Sequence, residues 1–140
     1  MFYYPVTIEQ DPETMQFIVE FLDIPAVYAV GESHDEALLN AVDALETAFF
    51  YLMQARKPIP LASPVNHQPG VALSVVSVGK VALYNAMLAS GTHKADLARK
   101  LNLTPALVDR LISLKHKSRI EQIETALALF NQRLLVEIHT

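Results

Sequence analysis

The segment HKADLARKLNLTPALVDRLISLKHKSR, His93 to Arg119, holds seven Lys/Arg residues against two carboxylates, in a chain whose net charge is −4. Its apolar residues form two short helical patterns separated by Asn102 and Leu103. Leu97 and Ala98 lie inside the first, which follows Thr92 as an expected N-cap. Thr104 caps the second through its side-chain oxygen, and Pro105 takes the first helical position, where a missing N–H is harmless. Asn102 stands where such a turn often carries glycine, and asparagine tolerates the left-handed backbone required there. Two short helices joined by a tight turn, the second one capped, make a helix-turn-helix pattern. Leu107, Val108 and Leu111 give the second helix a buried side, which leaves Thr104, Pro105, Ala106, Asp109, Arg110 and Ser113 facing out. A helix of this kind lies in the major groove of DNA with its N-terminal residues at base edges. Lys94, Arg99, Lys100, Lys115, Lys117 and Arg119 surround it and suit phosphates, which supply most sequence-independent affinity. Asp109 repels phosphate but can accept a hydrogen bond from cytosine N4.

The surrounding chain shows why an acidic protein keeps this basic segment. Residues 1–70 hold two basic and ten acidic residues, a net of −8, whereas residues 71–140 hold nine basic and five acidic, a net of +4. Opposite halves of this kind suggest partners of opposite charge: a polyanion suits the second half, and a basic protein, or simply solubility, the first; the alternative is that the halves mainly attract each other. The chain has 140 residues, 51% hydrophobic and 19% charged, enough apolar material for a core. Its apolar runs are far shorter than the roughly 20 residues of a membrane span. No signal peptide is expected from MFYYPVTIEQ. With no cysteine, disulfides and thiolate metal sites are excluded. A cytoplasmic protein with no membrane association is expected.

The first half reads as an antiparallel sheet followed by a long helix. Phe2, Tyr4, Val6 and Ile8 alternate with Tyr3, Pro5, Thr7 and Glu9, and MQFIVEFL alternates again beyond a turn at Pro12. Pro5 favours an edge position for the first strand. AVYAV is a short third strand. At Ser33 the period changes. SHDE forms a capping box, and Ala37, Leu38, Ala41, Val42, Leu45, Ala48, Phe49 and Leu52 mark an amphipathic helix of roughly 20 residues that Pro58 ends. Lys57–Gly70 contains four prolines and reads as a connector. LSVVSV (73–78) reads as a further strand, which could return to the first sheet or belong to the second half. A helix then runs from Lys80 to Gly91, and SRIE (118–121) opens the last helix with a second capping box. Arg133–Ile138 is apolar and β-prone, and with 73–78 offers strand edges for joining two chains. The expected domains are 1–57 (α/β), 58–72 (connector) and 73–140 (helix-turn-helix and oligomerisation).

The chain resembles HicB-type antitoxins over nearly its whole length. The resemblance rests on YPVTIE, FIVEFLDIPAVYAVGES, DEALLNAVDALETAF, IPLASP and HKADLARKLNLTPALVDRL, in that order. It implies an α+β fold: a degenerate ribonuclease-H-like N-terminal domain that binds and blocks HicA, and a C-terminal domain that binds the operon's own operator. HicA is a small, basic mRNA-cleaving toxin with a catalytic histidine. Some members carry a ribbon-helix-helix at the C-terminus; this chain resembles the helix-turn-helix branch. The expected partners are therefore a HicA-like toxin, operator DNA and further copies of the chain, as a dimer or tetramer. Glu20, Asp23 and Glu32, near the second and third strands, are the expected toxin-facing carboxylates.

Catalysis and cofactors are not expected. A two-metal nuclease needs clustered carboxylates, yet Asp11 falls in a turn and no acidic residue lies at the centre of the first strand. His34, His67, His93, His116 and His139 show no metal-binding spacing. The alternative is a helix-turn-helix transcription regulator whose N-terminal domain senses a ligand or oligomerises, without a toxin partner.

Overall fold

The structure, a computed structural model, describes residues 2–65 and 67–138; Met1, Asn66, His139 and Thr140 lie outside the described residues. The chain divides into two compact units, Met1–Leu73 and Ser74–Thr140. The fold is mixed α+β, with a four-stranded antiparallel sheet and five helices among the described residues.

The first unit contains β1 (Tyr3–Gln10), β2 (Phe17–Phe21), β3 (Tyr28–Gly31), α1 (His34–Gln54) and β4 (Gly70–Ala72). The strand order is β3-β2-β1-β4. Alternation sets the register: Val6 pairs with Phe21, Ile8 with Val19, and Val19 with Ala29. The expectation that Pro5 puts β1 at an edge is overturned, because β1 lies between β2 and β4. The proline is tolerated because the β1–β2 pairing stops at Val6, one residue beyond it. Its carbonyl still accepts from Leu22 N–H at 3.1 Å.

The helix α1 begins as its sequence dictates: the Ser33 hydroxyl accepts from Glu36 N–H at 3.1 Å. Ala37, Ala41, Leu45 and Phe49 form its buried stripe. Gly31 lets the first turn sit directly on β3, since a Cβ there would lie 2.4 Å from the Ala37 nitrogen. At the far end Tyr4 meets Phe49 edge-to-face, ring centroids 5.4 Å apart. The Tyr4 hydroxyl donates to the Pro60 carbonyl at 2.8 Å. Burial, with Asp23 adding to it, pushes the Tyr4 phenol further above its ordinary pKa, so it remains a donor. Ile59 is also buried. The proline-rich segment thus packs into the first unit and ends as β4.

The second unit contains α2 (Val75–Ser90), α3 (Lys94–Leu101), α4 (Pro105–Ile112) and α5 (Ile120–Ala128). Four expectations change here. LSVVSV is not a strand: the Ser74 hydroxyl accepts from Ser77 N–H and starts α2, five residues before Lys80. Gly79 lets α2 lie close to α5, since a Cβ there would lie 2.6 Å from the Ile123 side chain. His93, not Thr92, caps α3, with its N–H donating to the Asp96 carboxylate at 3.0 Å. Arg119, not Ser118, is the N-cap of α5, because the Ser118 hydroxyl is engaged elsewhere. Arg133–Ile138 follows α5 outside any helix or strand. Gly91 and Asn102 end α2 and α3 in the left-handed conformation, φ 69° and 56°.

Gly31→Ala is expected to destabilise the protein by about 1–3 kcal/mol, because the clash is with backbone and cannot be relieved by a rotamer change. Urea unfolding followed by far-ultraviolet circular dichroism measures this; an unchanged midpoint would show that α1 does not seat on β3 as described.

Candidate nucleic-acid interface and acidic face

The helices α3 and α4 form the basic face. Leu97 and Ala98 bury the inner side of α3. Val108, Leu111 and Ile112 do the same for α4. The Thr104 hydroxyl accepts from Leu107 N–H at 3.3 Å, and Pro105 opens the helix. Leu107 does not belong to the buried side as expected: it is 43% exposed, and Ile112 takes its place in the core. It therefore joins Thr104, Pro105, Ala106, Asp109 and Arg110 on the exposed side of α4, while Ser113 is half-buried at its end. The signal was present in the spacing, because Val108, Leu111 and Ile112 already complete a helical stripe at steps of three and four.

Two of the expected phosphate ligands hold carboxylates. Lys94 pairs with Asp109 at 2.5 Å, which ties the start of α3 to the outer side of α4. Arg99 pairs with Asp96. The His93 N–H, first, and Arg99, second among the stabilising groups, hold the Asp96 carboxyl below its usual value of 3.8. The contribution of this cap is complete above that usual value and fades as pH falls through the lower folded-state value. Lys100, Arg110, Lys115, Lys117 and Arg119 are exposed.

One cation of the basic half is not on the surface. Lys80 on α2 is 1% exposed. Its ammonium donates to the carbonyls of Arg110 and Ser113 at 2.8 and 2.7 Å, and to the Ser118 hydroxyl at 2.8 Å. It therefore binds the carboxyl end of α4 and the loop beyond it, where a helix concentrates negative partial charge. Burial pushes its pKa down to about 8, while three oxygen acceptors favour the charged form and work against that shift. The sequence reading missed this residue, although Val76, Lys80, Leu83 and Met87 follow the spacing of a buried helical stripe.

In the first unit the three expected toxin-facing carboxylates are separated. Glu20 is exposed on β2, opposite Tyr28 of β3 and Thr7 of β1. Asp23 is half-buried and accepts from the Ser63 N–H at 2.7 Å and the Ser63 hydroxyl at 2.6 Å, which fastens the proline-rich segment. Glu32 lies beside the turn residues Thr14, Met15 and Gln16 at the other end of β2. At about 3.3 Å per strand residue, Asp23 and Glu32 are on the order of 20 Å apart. A different feature stands out: a shallow cleft of about 380 Å³ between the start of β3 and α1. Asp43, Thr47 and Tyr51 line it from α1 and Ala26, Val27 and Tyr28 from the strand side. Tyr28 and Tyr51 are 62% and 66% exposed, on the edge strand and the outer helix face. Among the described residues no group of three or more His, Asp or Glu side chains is placed to hold a metal ion. No helix among them is long and apolar enough to cross a membrane.

An antiparallel α/β unit rich in acidic residues is thus followed by a helical unit with a capped, basic helix pair. The chain belongs to the HicB-like antitoxin family of bacterial toxin–antitoxin systems, whose family model matches residues 3–82. It is 34% identical to Antitoxin HicB of Pseudomonas fluorescens (strain Pf0-1), covering 99% of this chain and 94% of that one. It is 38% identical to Antitoxin HicB of Escherichia coli (strain K12), covering 94% and 95%. It is also 38% identical to Antitoxin HicB 2 of Photorhabdus laumondii, covering 94% and 92%.

Lys80→Met keeps the apolar stem but removes the charged donor from two carbonyls and a hydroxyl. A loss of about 2–3 kcal/mol is expected, the scale of a buried hydrogen bond to a charged group. Thermal unfolding measures it; a variant as stable as the parent would show that the ammonium does not hold this loop.

Proposed function

We propose that this antitoxin binds and neutralises a HicA-like mRNA-cleaving toxin through its first unit and represses its own operon through operator DNA bound by its second. The observation that carries the reading is the near full-length similarity to HicB antitoxins, together with the division of charge between the two units. In this reading α3, the Asn102 turn and α4 act as a helix-turn-helix. The exposed residues Thr104, Pro105, Ala106, Leu107 and Arg110 lie over base edges, and Ser113 at the end of α4. Lys100, Lys115, Lys117 and Arg119 meet phosphates, joined by Lys94 and Arg99 from their ion pairs. Leu107 suits the methyl group of thymine, and Asp109, oriented by Lys94, suits cytosine N4. One such helix reads a short half-site, so operator binding takes a homo-oligomer, at least a dimer.

The first unit acts by binding, not by catalysis, as a degenerate ribonuclease-H-like domain in a cytoplasmic protein. The scatter of its acidic residues supports this reading. The toxin docks on the β3 edge and the adjoining α1 cleft, where exposed tyrosines supply the large, rigid contacts typical of interface hot spots. Glu20, Asp43 and Glu32 then steer a basic partner by charge, and Asp23 acts by holding the proline-rich segment.

Arg110→Ala is expected to weaken operator binding by about 1–3 kcal/mol in gel-shift titration while toxin neutralisation persists. Unchanged affinity in a folded variant would turn this helix away from DNA. The double change Tyr28→Ala with Tyr51→Ala is expected to weaken toxin binding by at least about 2 kcal/mol in calorimetry, leaving operator binding intact. Full toxin affinity in that variant would move the docking surface elsewhere.

A further inference from the structure

The loop from residue 113 to residue 119 joins α4 to α5 and carries three exposed cations, Lys115, Lys117 and Arg119. A loop presents charge loosely unless something fixes its course. Within this one, the His116 N–H donates to the Ser113 carbonyl and the Lys115 N–H to the Ser113 hydroxyl, both at 3.3 Å. Its two ends meet at a group from another helix. The Lys80 ammonium holds the carbonyls of Arg110 and Ser113 where the loop begins and the Ser118 hydroxyl where it closes. Lys115 and Lys117 lie between these anchors, and Arg119 directly follows the second.

Stability alone is a poor reason for a charge at this position. Taking an ammonium out of water is costly, and a well-packed apolar side chain often stabilises a core as well or better. An apolar side chain cannot hold three oxygens from both ends of a loop at one point. Cations on a loop fixed in this way lose less freedom when they meet a phosphate, so more of each contact appears as affinity.

We propose that Lys80 is a positioning residue for phosphate contact: by pinning both ends of the 113–119 loop it holds Lys115, Lys117 and Arg119 where they meet the DNA backbone. Lys80 is 1% exposed and touches no DNA itself. The inference rests on the reading of α3 and α4 as a DNA-binding helix pair, and it gives an interior residue a part in that binding.

Salt dependence is the readout, because the slope of log affinity against log salt counts the phosphates that a protein neutralises. Fluorescence anisotropy measures it with a labelled duplex of the DNA upstream of the chain's own reading frame, over about 50–200 mM potassium chloride. Lys80→Met is expected to lower the slope by about one per chain and to weaken binding at least roughly tenfold at the lower salt. Lys117→Gln is expected to lower the parent's slope by about one per chain, and to change it little in the Lys80→Met background. A role in stability alone gives a different result. Fewer folded molecules lower the affinity equally at every salt concentration and leave both the slope and the Lys117→Gln effect as in the parent; that outcome overturns the proposal.

Ser118→Ala is a smaller change at the closing anchor and is expected to move the slope in the same direction. Circular dichroism checks the helices of each variant. Where Lys80→Met loses them, Ser118→Ala decides, and an unchanged slope there overturns the proposal. The chain has no native cysteine, so Lys80→Cys can be alkylated with 2-bromoethylamine in denaturant and refolded, with the parent taken through the same cycle. The product carries an ammonium on a stem of equal length. Recovery of most of the parent's slope is expected; a product that folds yet keeps the low slope of Lys80→Met overturns the proposal. A parent protein that does not bind this duplex is a separate failure, which removes the operator reading itself and this inference with it.

Discussion

A single ammonium group organises the helical unit. Lys80 reaches from α2 to the carbonyls of Arg110 and Ser113 and to the Ser118 hydroxyl. The C-terminal carbonyls of α4 have no intrahelical donors, and burying them without partners would be expensive. Lys80 supplies donors from outside and sets both where α4 ends and where the loop to α5 begins. The Ser118 hydroxyl also donates to the Arg110 carbonyl at 3.3 Å, so three elements meet at one charge. Removing a charge from water is costly unless its hydrogen bonds are replaced, and here three oxygens replace them. The outer side of α4 is held in place by a contact made on its inner side.

The first unit depends on closeness rather than on charge. Gly31 and the alanines at 37 and 41 let α1 lie near the sheet, and Leu45 and Phe49 fill the wider end. Tyr4 serves both layers: its ring packs on Phe49 and its hydroxyl holds the carbonyl of Pro60. Asp23 holds Ser63 three residues further on. A segment with four prolines supplies few backbone donors, so it is fixed by side chains reaching its carbonyls and its serine. This delivers the chain to β4 at the edge of the sheet, and leaves β3 as the opposite, open edge beside the two exposed tyrosines.

The charge division has a finer structure than the totals suggest. Of the nine basic residues in the second half, Lys80 is internal, and Lys94 and Arg99 are paired with Asp109 and Asp96. Of the exposed remainder, Lys100, Arg110, Lys115, Lys117 and Arg119 cluster at the end of α3, on α4 and in the 113–119 loop, and Arg133 lies apart, beyond α5. Exposed ion pairs of this kind contribute little stability, and their effect is to orient side chains. Lys94 fixes the Asp109 carboxylate, and Asp96 both caps α3 and fixes Arg99. In the acidic half, one carboxylate of the three expected at a docking face is used to hold the proline-rich segment.

Much of this architecture was legible in the sequence, because its signals are local. Period-two alternation marked β1, β2 and β3; Ser33 and Thr104 marked helix starts; Gly91 and Asn102 marked helix ends; and the basic helix pair was readable from spacing alone. The errors fall where distant residues decide. LSVVSV has the composition of a strand, but the Ser74 hydroxyl caps it as the start of α2, which packs its small Gly79 against Ile123 of α5. Pro5 signals an edge, but the β1–β2 pairing stops one residue past it and β4 covers the other side. Ser118 has the sequence of a cap, but Lys80, 38 residues earlier, takes its hydroxyl. Leu107 reads as core, but Ile112 fills that space. Local hydrogen bonding and periodicity are properties of neighbouring residues and can be read from them. Burial of a lysine, separation of carboxylates along a strand and the choice among apolar residues for one core depend on what the folded chain brings opposite them, and only the tertiary structure decides that.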